Sequence, residues 1–263
     1  MTPNVNFHLA EMVLFSTLPE GAKKKHYSLP LAEANLDHGL ANLIYFFLSA
    51  TEAERQEGIK WYASTFFETV ELAKLYHLPV DQVIDVIAAL SPQLRWSENI
   101  YSAEVVIRYF LAGSFVPSYT EYLSGAKKLL ELSQGINLPI DANVTGINKL
   151  KALWLLQGQK WALHGPKVEA FADNIHRFED SNRVTVDSHA ISAWFGCVVP
   201  QSVTVTPSFM AIIEADYRKL AALFGVSPLE GQAIVWIVKR RMSGADIRKG
   251  QDKKLDPWID PAR

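Results

Sequence analysis

The chain of 263 residues is 49% hydrophobic and 21% charged, which is the usual balance of a soluble globular protein with a sizeable core. Its net charge of −2 excludes the uniformly basic surface of a nonspecific duplex-DNA binder, so any contact with nucleic acid would depend on a local patch. A single cysteine, Cys197, excludes an intrachain disulfide framework and a cysteine-ligated cluster, and it fits a reducing cytoplasm.

The N-terminal part of the chain predicts an arm followed by two helices. Residues 1–30 lack the basic and apolar regions of a signal peptide, and we expect a partly ordered arm there. No apolar run is long enough to span a bilayer, so no membrane contact is expected. A helix is predicted over 31–50, and Thr51 is predicted to cap a longer helix whose apolar positions keep a 3.6-residue period.

A break at His77 to Pro79 ends that helix and leads into the most apolar part of the chain. Residues 80–90 are apolar on nearly all sides and predict a buried helix. Ser91 and Pro92 stop it, because the residue before a proline is disfavoured in a helix. Gln93 and the residues after it are then expected on an exposed turn, with Ser97 capping the next helix.

The second half of the chain is also predicted to be helical. Val203 to Thr206 has strand propensity only, and we interpret it as a loop or a short extended segment. About ten helices and no convincing sheet predict an all-α protein with one helical domain over 31–242 and a tail over 243–263. The residues from 239 to 254 include seven basic and two acidic side chains, which suits either a nucleic-acid contact or a solvated end. Further helices are predicted over 118–133, 146–157, 208–224 and 228–242.

Two helix starts follow one another within residues 163–189. Gly165 and Pro166 break the chain and open the first helix, and Asp187 is a good N-cap for the second, which Gly196 ends. Lys167 lies in the first turn of its helix, where the helix dipole disfavours a cation and so favours the neutral, nucleophilic amine. Two neighbouring helix starts could bring an amine and a carboxylate to one cleft.

These motifs resemble the core of the helix-hairpin-helix DNA glycosylases, the endonuclease III superfamily. The matching stretches are Gly165-Pro-Lys-Val168, the helix after it, and Val186-Asp-Ser-His189. Leu90-Ser-Pro-Gln93 resembles the Leu-Ser-x-Gln of the same family, and the late helix with Trp236, Arg240 and Arg241 is a weaker match. The resemblance covers residues 80–242 and implies a helix-hairpin-helix glycosylase-like fold with its hairpin near 160–190, in a divergent phage-type member.

The resemblance implies a base-excision DNA repair enzyme that removes a flipped damaged or modified base. It implies that Asp187 is the catalytic carboxylate and that Lys167, if it attacks the sugar, adds lyase activity at the abasic site. No cofactor is implied, and His176 and His189 show no metal-ligand spacing. The residues expected to contact DNA or the base are Gln93, Arg95, Trp96, Gly165 and His189.

Two other functions remain open. One is a noncatalytic helical module that binds nucleic acid or a protein, and the other is a phage-type DNA base-modification enzyme on the same fold. Leu163 stands where the family hairpin has its first glycine, and this altered hairpin together with the acidic pI of about 6.4 favours the binding module. The cysteines of the iron–sulfur subgroup are absent as well. Each motif also has a plain structural interpretation, with Asp187 as a helix cap, Lys167 as a surface lysine and Gln93 as a turn residue.

Overall fold

The computed structural model describes residues 27–29, 38–92, 94–114, 116, 146–199 and 203–242. The chain forms two compact units: a terminal unit, Met1–Ala63 with Arg177–Arg263, and a central unit, Ser64–His176. The helical domain predicted over 31–242 is therefore divided between two units, and the predicted hairpin is divided after His176. Gln93, the predicted helix over 118–133, the tail over 243–263 and nearly all of the predicted arm lie outside the described residues.

The fold is all-α in class, as predicted from the helical periodicity. No single helix among the described residues is long and apolar enough to cross a membrane. Two consecutive helices, Pro207–Phe224 and Pro228–Met242, bent by 97° at a short break, have the combined length and composition for a broken span. The described residues contain a short 3-10 helix, Lys160–Ala162, and nine α-helices: α1 Gly39–Leu48, α2 Glu52–Tyr76, α3 Val80–Leu90, α4 Trp96–Leu111, α5 Gly146–Leu156, α6 Pro166–His176, α7 Ser188–Phe195, α8 Pro207–Phe224 and α9 Pro228–Met242.

Two short strands pair in the terminal unit. Strand β1, Tyr27–Leu29, lies parallel to β2, Val203–Val205, with Tyr27 opposite Val203. The prediction of a loop or short extended segment at Val203 to Thr206 was therefore incomplete, because a three-residue strand has no local signal that reveals its partner. Thr206 is not part of the strand, and its hydroxyl instead accepts from the Phe209 N–H as the N-cap of α8.

The central unit is built around α3. Every residue from Val83 to Leu90 is buried, which confirms the prediction from its apolar pattern, and α3 packs against α4, α5 and α6. The side chain of Gln82 donates to the carbonyl oxygens of Leu155 and Leu156 at 2.8 and 2.9 Å, and so satisfies two acceptors at the end of α5. Helix α4 begins at Trp96, so Ser97 is not its cap.

The core of the terminal unit is centred on Trp194 in α7. This side chain is 1% exposed, and its indole N–H donates to the Asp216 carboxylate of α8 at 2.9 Å. The Asn42 amide of α1 donates to the Trp194 carbonyl at 2.9 Å, so two neighbouring helices hold the same residue. A buried tryptophan needs such a partner for its N–H. Gly196 ends α7 in the left-handed conformation at φ +72°, as predicted.

Candidate functional site

Asp187 is the N-cap of α7, which confirms the prediction from its position in the sequence. Its side-chain Oδ1 accepts from the Ala190 backbone N–H at 2.8 Å, and its own backbone N–H donates to the Thr185 carbonyl at 2.9 Å. One carboxylate oxygen is therefore fixed by the first turn of the helix. Among the described residues no hydrogen bond reaches Oδ2.

The backbone before Asp187 is held by buried side chains from two other helices. Gln232 of α9 accepts from the Thr185 N–H at 2.9 Å and donates to the Thr185 carbonyl at 2.5 Å. The Tyr62 hydroxyl of α2 lies 3.3 Å from the Thr185 hydroxyl. Sequence reasoning did not find Gln232 or Tyr62, because no local pattern links them to residue 185. Together they fix the chain two residues before the carboxylate.

The negative charge of Asp187 affects the pKa of Tyr217 in α8. Burial raises the pKa of the Tyr217 phenol well above its usual value, and the nearby Asp187 carboxylate raises it further. The carboxylate therefore lies close to the buried part of the terminal unit while Asp187 itself stays partly exposed. His189, a predicted DNA contact, is exposed in the first turn of α7, so the terminal unit brings Asp187 and His189 together.

The start of α6 lies in the central unit and carries two further predicted residues. Pro166 opens the helix as expected, and Gly165 has φ +112°, a conformation that residues with a side chain rarely adopt. Gly165 is a predicted DNA contact, and its backbone N–H donates to the Glu169 carboxylate at 2.9 Å. Lys167 is partly exposed, and among the described residues no hydrogen bond or ion pair reaches its amine.

Arg95 and Trp96, two other predicted DNA contacts, also lie in the central unit. The Trp96 indole N–H donates to the Glu68 carboxylate at 2.6 Å, and the Arg95 backbone N–H donates to Glu98 at 3.2 Å. A Trp96 side chain that wedges into DNA would therefore have to give up its bond to Glu68.

The basic residues of α9, which formed the weaker part of the resemblance, make contacts within the terminal unit. Arg241 pairs with Glu54 at 2.5 Å and donates to the Ser49 carbonyl at 3.0 Å. The Arg240 guanidinium lies over the Trp236 ring, 4.6 Å from its centroid. These contacts within the protein account for both arginines, so no DNA contact is needed to explain why they are there.

The described residues hold no group of three or more His, Cys, Asp or Glu side chains that could bind a metal ion. A sequence model of a family of unknown function, DUF7178, matches residues 28–243. No curated protein matches the chain, and neither does any solved structure. The family match covers most of the chain and assigns no chemistry to it.

Proposed function

The chain belongs to the DUF7178 family, and we propose that it is a DNA-base N-glycosylase in which Asp187 is the catalytic carboxylate. The single observation that carries this proposal is the way in which Asp187 is held. A first-turn N–H fixes one oxygen at 2.8 Å, and the preceding backbone is anchored at Thr185 by Gln232 and Tyr62. A plain helix cap needs the first of these contacts but not the others.

Hydrolysis of an N-glycosidic bond needs a carboxylate of this kind. As the bond between C1′ and the base nitrogen lengthens, the sugar acquires oxocarbenium character, as it does in glycoside hydrolysis. A fixed negative charge stabilises that positive charge without reorganising during the reaction. In the proposed reaction, Asp187 faces the sugar through Oδ2 and orients the water that attacks C1′. The target base must first be flipped out of the stack.

The finer assignment, to the helix-hairpin-helix glycosylases, rests on the sequence resemblance. Three features of the described residues are consistent with it: Pro166 opens α6, Lys167 follows in its first turn, and Asp187 caps α7. In the proposed enzyme Gly165 and Lys167 contact the DNA backbone, with His189 close to the carboxylate. Lys167 is also the amine that the resemblance assigns to abasic-site cleavage.

The decisive test is Asp187→Asn. Asparagine caps a helix about as well as aspartate, so the melting temperature is expected to change by no more than about 2 °C. The negative charge is lost, and base release is expected to fall by about 100-fold or more. Base release is measured on oligonucleotides that carry a panel of damaged and modified bases, with alkali cleavage revealing each abasic site.

Asp180→Asn is the matched control, because it makes the same chemical change at an exposed residue of the terminal unit. Among the described residues the Asp180 carboxylate forms an ion pair with Arg177 alone, in the first turn after α6. It is expected to keep full activity. Full activity of Asp187→Asn on every base that the wild-type protein removes would refute the proposed role of Asp187. If the wild-type protein removes no base but binds DNA in a salt-sensitive way that survives Asp187→Asn, the protein is the noncatalytic module instead.

A further inference from the structure

Residues 157–165, which join α5 to α6, contact one face of α5 through two side chains. The Trp161 ring packs on the buried Trp154 ring with centroids 5.2 Å apart, and the His164 Nε2 lies 3.4 Å from the Lys151 Nζ. Lys151 and Trp154 are three residues apart and therefore lie on the same side of α5. All four residues belong to the central unit, and the segment ends at Gly165.

The contact between Lys151 and His164 constrains their charges. An ammonium and an imidazolium at this distance would repel each other, and neither would offer a lone pair to the other. The contact is a hydrogen bond only if at least one of the two groups is neutral. Burial also lowers the pKa of the Lys151 amine, which favours the neutral form there. The pair still reaches solvent, so a small reagent can approach the amine.

We propose that Lys151, with His164 as its proton acceptor, is a reactive amine that forms an imine with an aldehyde. For DNA the aldehyde is that of the ring-opened sugar at an abasic site, and this part rests on the proposed function. The geometry distinguishes Lys151 from Lys167: the first amine has a base within 3.4 Å, and no such partner reaches the second among the described residues.

The proposed step needs no oxidant or cofactor. The neutral amine uses its lone pair to attack the aldehyde carbon, and the carbonyl π electrons move to oxygen. A proton passes from the nitrogen to the oxygen by way of His164 to give the neutral carbinolamine. A further proton, taken from solvent by way of His164, lets the hydroxyl leave as water, and the nitrogen lone pair forms the C=N bond of the protonated imine. A desolvated lysine beside a base is a recognised form of activated amine nucleophile.

The first experiment uses the protein without DNA. The folded protein is treated with limiting glycolaldehyde and sodium cyanoborohydride at neutral pH, and peptide mass spectrometry gives the labelling rate of each lysine. Lys151 is expected to react severalfold faster than Lys149 of the same helix and than Lys160, an exposed lysine of the segment that packs on α5. His164→Asn is expected to remove the excess reactivity of Lys151 while the melting temperature is retained. Lys151 labelling no faster than Lys149 would overturn the proposal.

The second experiment uses DNA with an abasic site and sodium borohydride, followed by mapping of the crosslinked peptide. The adduct is expected to persist in Lys167→Arg and to disappear in Lys151→Arg. An adduct that maps to Lys167 would refute the DNA part while leaving the glycosylase proposal intact. Rapid labelling of Lys151 by glycolaldehyde with no base release from any DNA would instead support the reactive amine and contradict the proposed function.

Discussion

Helices α6 and α7 begin in opposite ways. At α7, the residue before the helix provides the acceptor: the Asp187 carboxylate takes the N–H of Ala190, three residues on. At α6, a residue inside the helix provides the acceptor: the Glu169 carboxylate takes the N–H of Gly165, before the first turn. The α7 start therefore has one half of the two-way exchange known as a capping box, whereas the bond between Glu169 and Gly165 at α6 joins residues four positions apart, one more than that box requires.

This difference decides what each start offers to a ligand. At α7 the capping group is a carboxylate outside the first turn, and buried contacts on Thr185 hold the chain in front of it. At α6 the residue before the helix is a glycine, which has no side chain to cover the first-turn N–H groups. The α7 start therefore presents a fixed negative charge, which suits a developing cation. The α6 start presents N–H groups and the Lys167 amine, which suit an anion.

The largest expected effect comes from removing the support of the α7 start. Gln232→Leu deletes both side-chain bonds to Thr185, so the buried Thr185 N–H loses its Gln232 acceptor while the Thr185 carbonyl keeps the bond from the Asp187 N–H. The free energy of unfolding is expected to fall by about 2–4 kcal/mol, measured by urea denaturation. Base release should fall as well, because the backbone two residues before Asp187 loses its anchor.

Gln82→Leu is the matched control for this prediction. Gln82 also bonds to two backbone groups, the carbonyls of Leu155 and Leu156, but it is only partly buried and those carbonyls end a helix. Its loss is expected to cost about 1 kcal/mol. Equal losses for the two variants would mean that the Gln232 contacts give the α7 start no special support.

Helix α2 begins with a complete capping box, with which the starts of α6 and α7 can be compared. The Thr51 N–H donates to the Glu54 carboxylate at 2.8 Å, and the Glu54 N–H donates to the Thr51 hydroxyl at 3.3 Å. Burial by itself raises the pKa of Glu54, but the bonds from Thr51 and Arg241 outweigh it, so this pKa lies below its usual value. A carboxyl whose pKa is lowered on folding stabilises the protein above its unfolded pKa of about 4.3, and this contribution disappears as the pH falls through the folded pKa.

Glu54→Gln is therefore expected to lower the free energy of unfolding by about 1 kcal/mol at pH 7. The difference from the wild-type protein should shrink as the pH falls below about 4. Thermal unfolding at several pH values measures both effects. Glu52→Gln, at an exposed glutamate of the same first turn, should show neither. A Glu54→Gln deficit that is the same at low and neutral pH would show that the glutamate charge does not stabilise this start.

Local signals were enough to predict these helix starts. Thr51 before α2 and Asp187 before α7 both cap as their spacing indicated. Each cap joins residues three positions apart, so it can be recognised within one short window of sequence. The burial of α3 could also be predicted from local sequence, because a helix that is apolar on all sides is stable only in the core.

Contacts between distant parts of the chain could not be predicted in this way. Gln232 and Thr185 are polar residues of ordinary type, and only the packing of α9 places one against the other. The contact of Lys151 with His164 likewise depends on how the segment after α5 folds back along it. The boundary between the two units falls inside α2, where the helical pattern is continuous and no composition change marks it.

The smallest expected effect on stability comes from the α6 start, and it tests whether that start can take up an anion. Glu169→Gln removes a negative charge from the first turns of α6 and weakens the bond to the Gly165 N–H. The cost in unfolding free energy is expected to be about 0.5 kcal/mol, because a carboxylate near a helix N-terminus contributes little at the surface.

The same substitution, Glu169→Gln, should strengthen the binding of DNA although it weakens the fold. If a phosphate occupies the α6 start, it competes with the Glu169 carboxylate for the same N–H, so Glu169→Gln is expected to tighten binding of a fluorescent oligonucleotide severalfold at low salt. Glu71→Gln removes the same charge from an exposed residue of the central unit and serves as the control for nonspecific repulsion. If both variants tighten binding equally, net charge alone explains the gain. A gain confined to Glu169→Gln would mean that the Glu169 carboxylate occupies the Gly165 N–H that the phosphate needs. The fixed Asp187 carboxylate at α7 has no comparable effect.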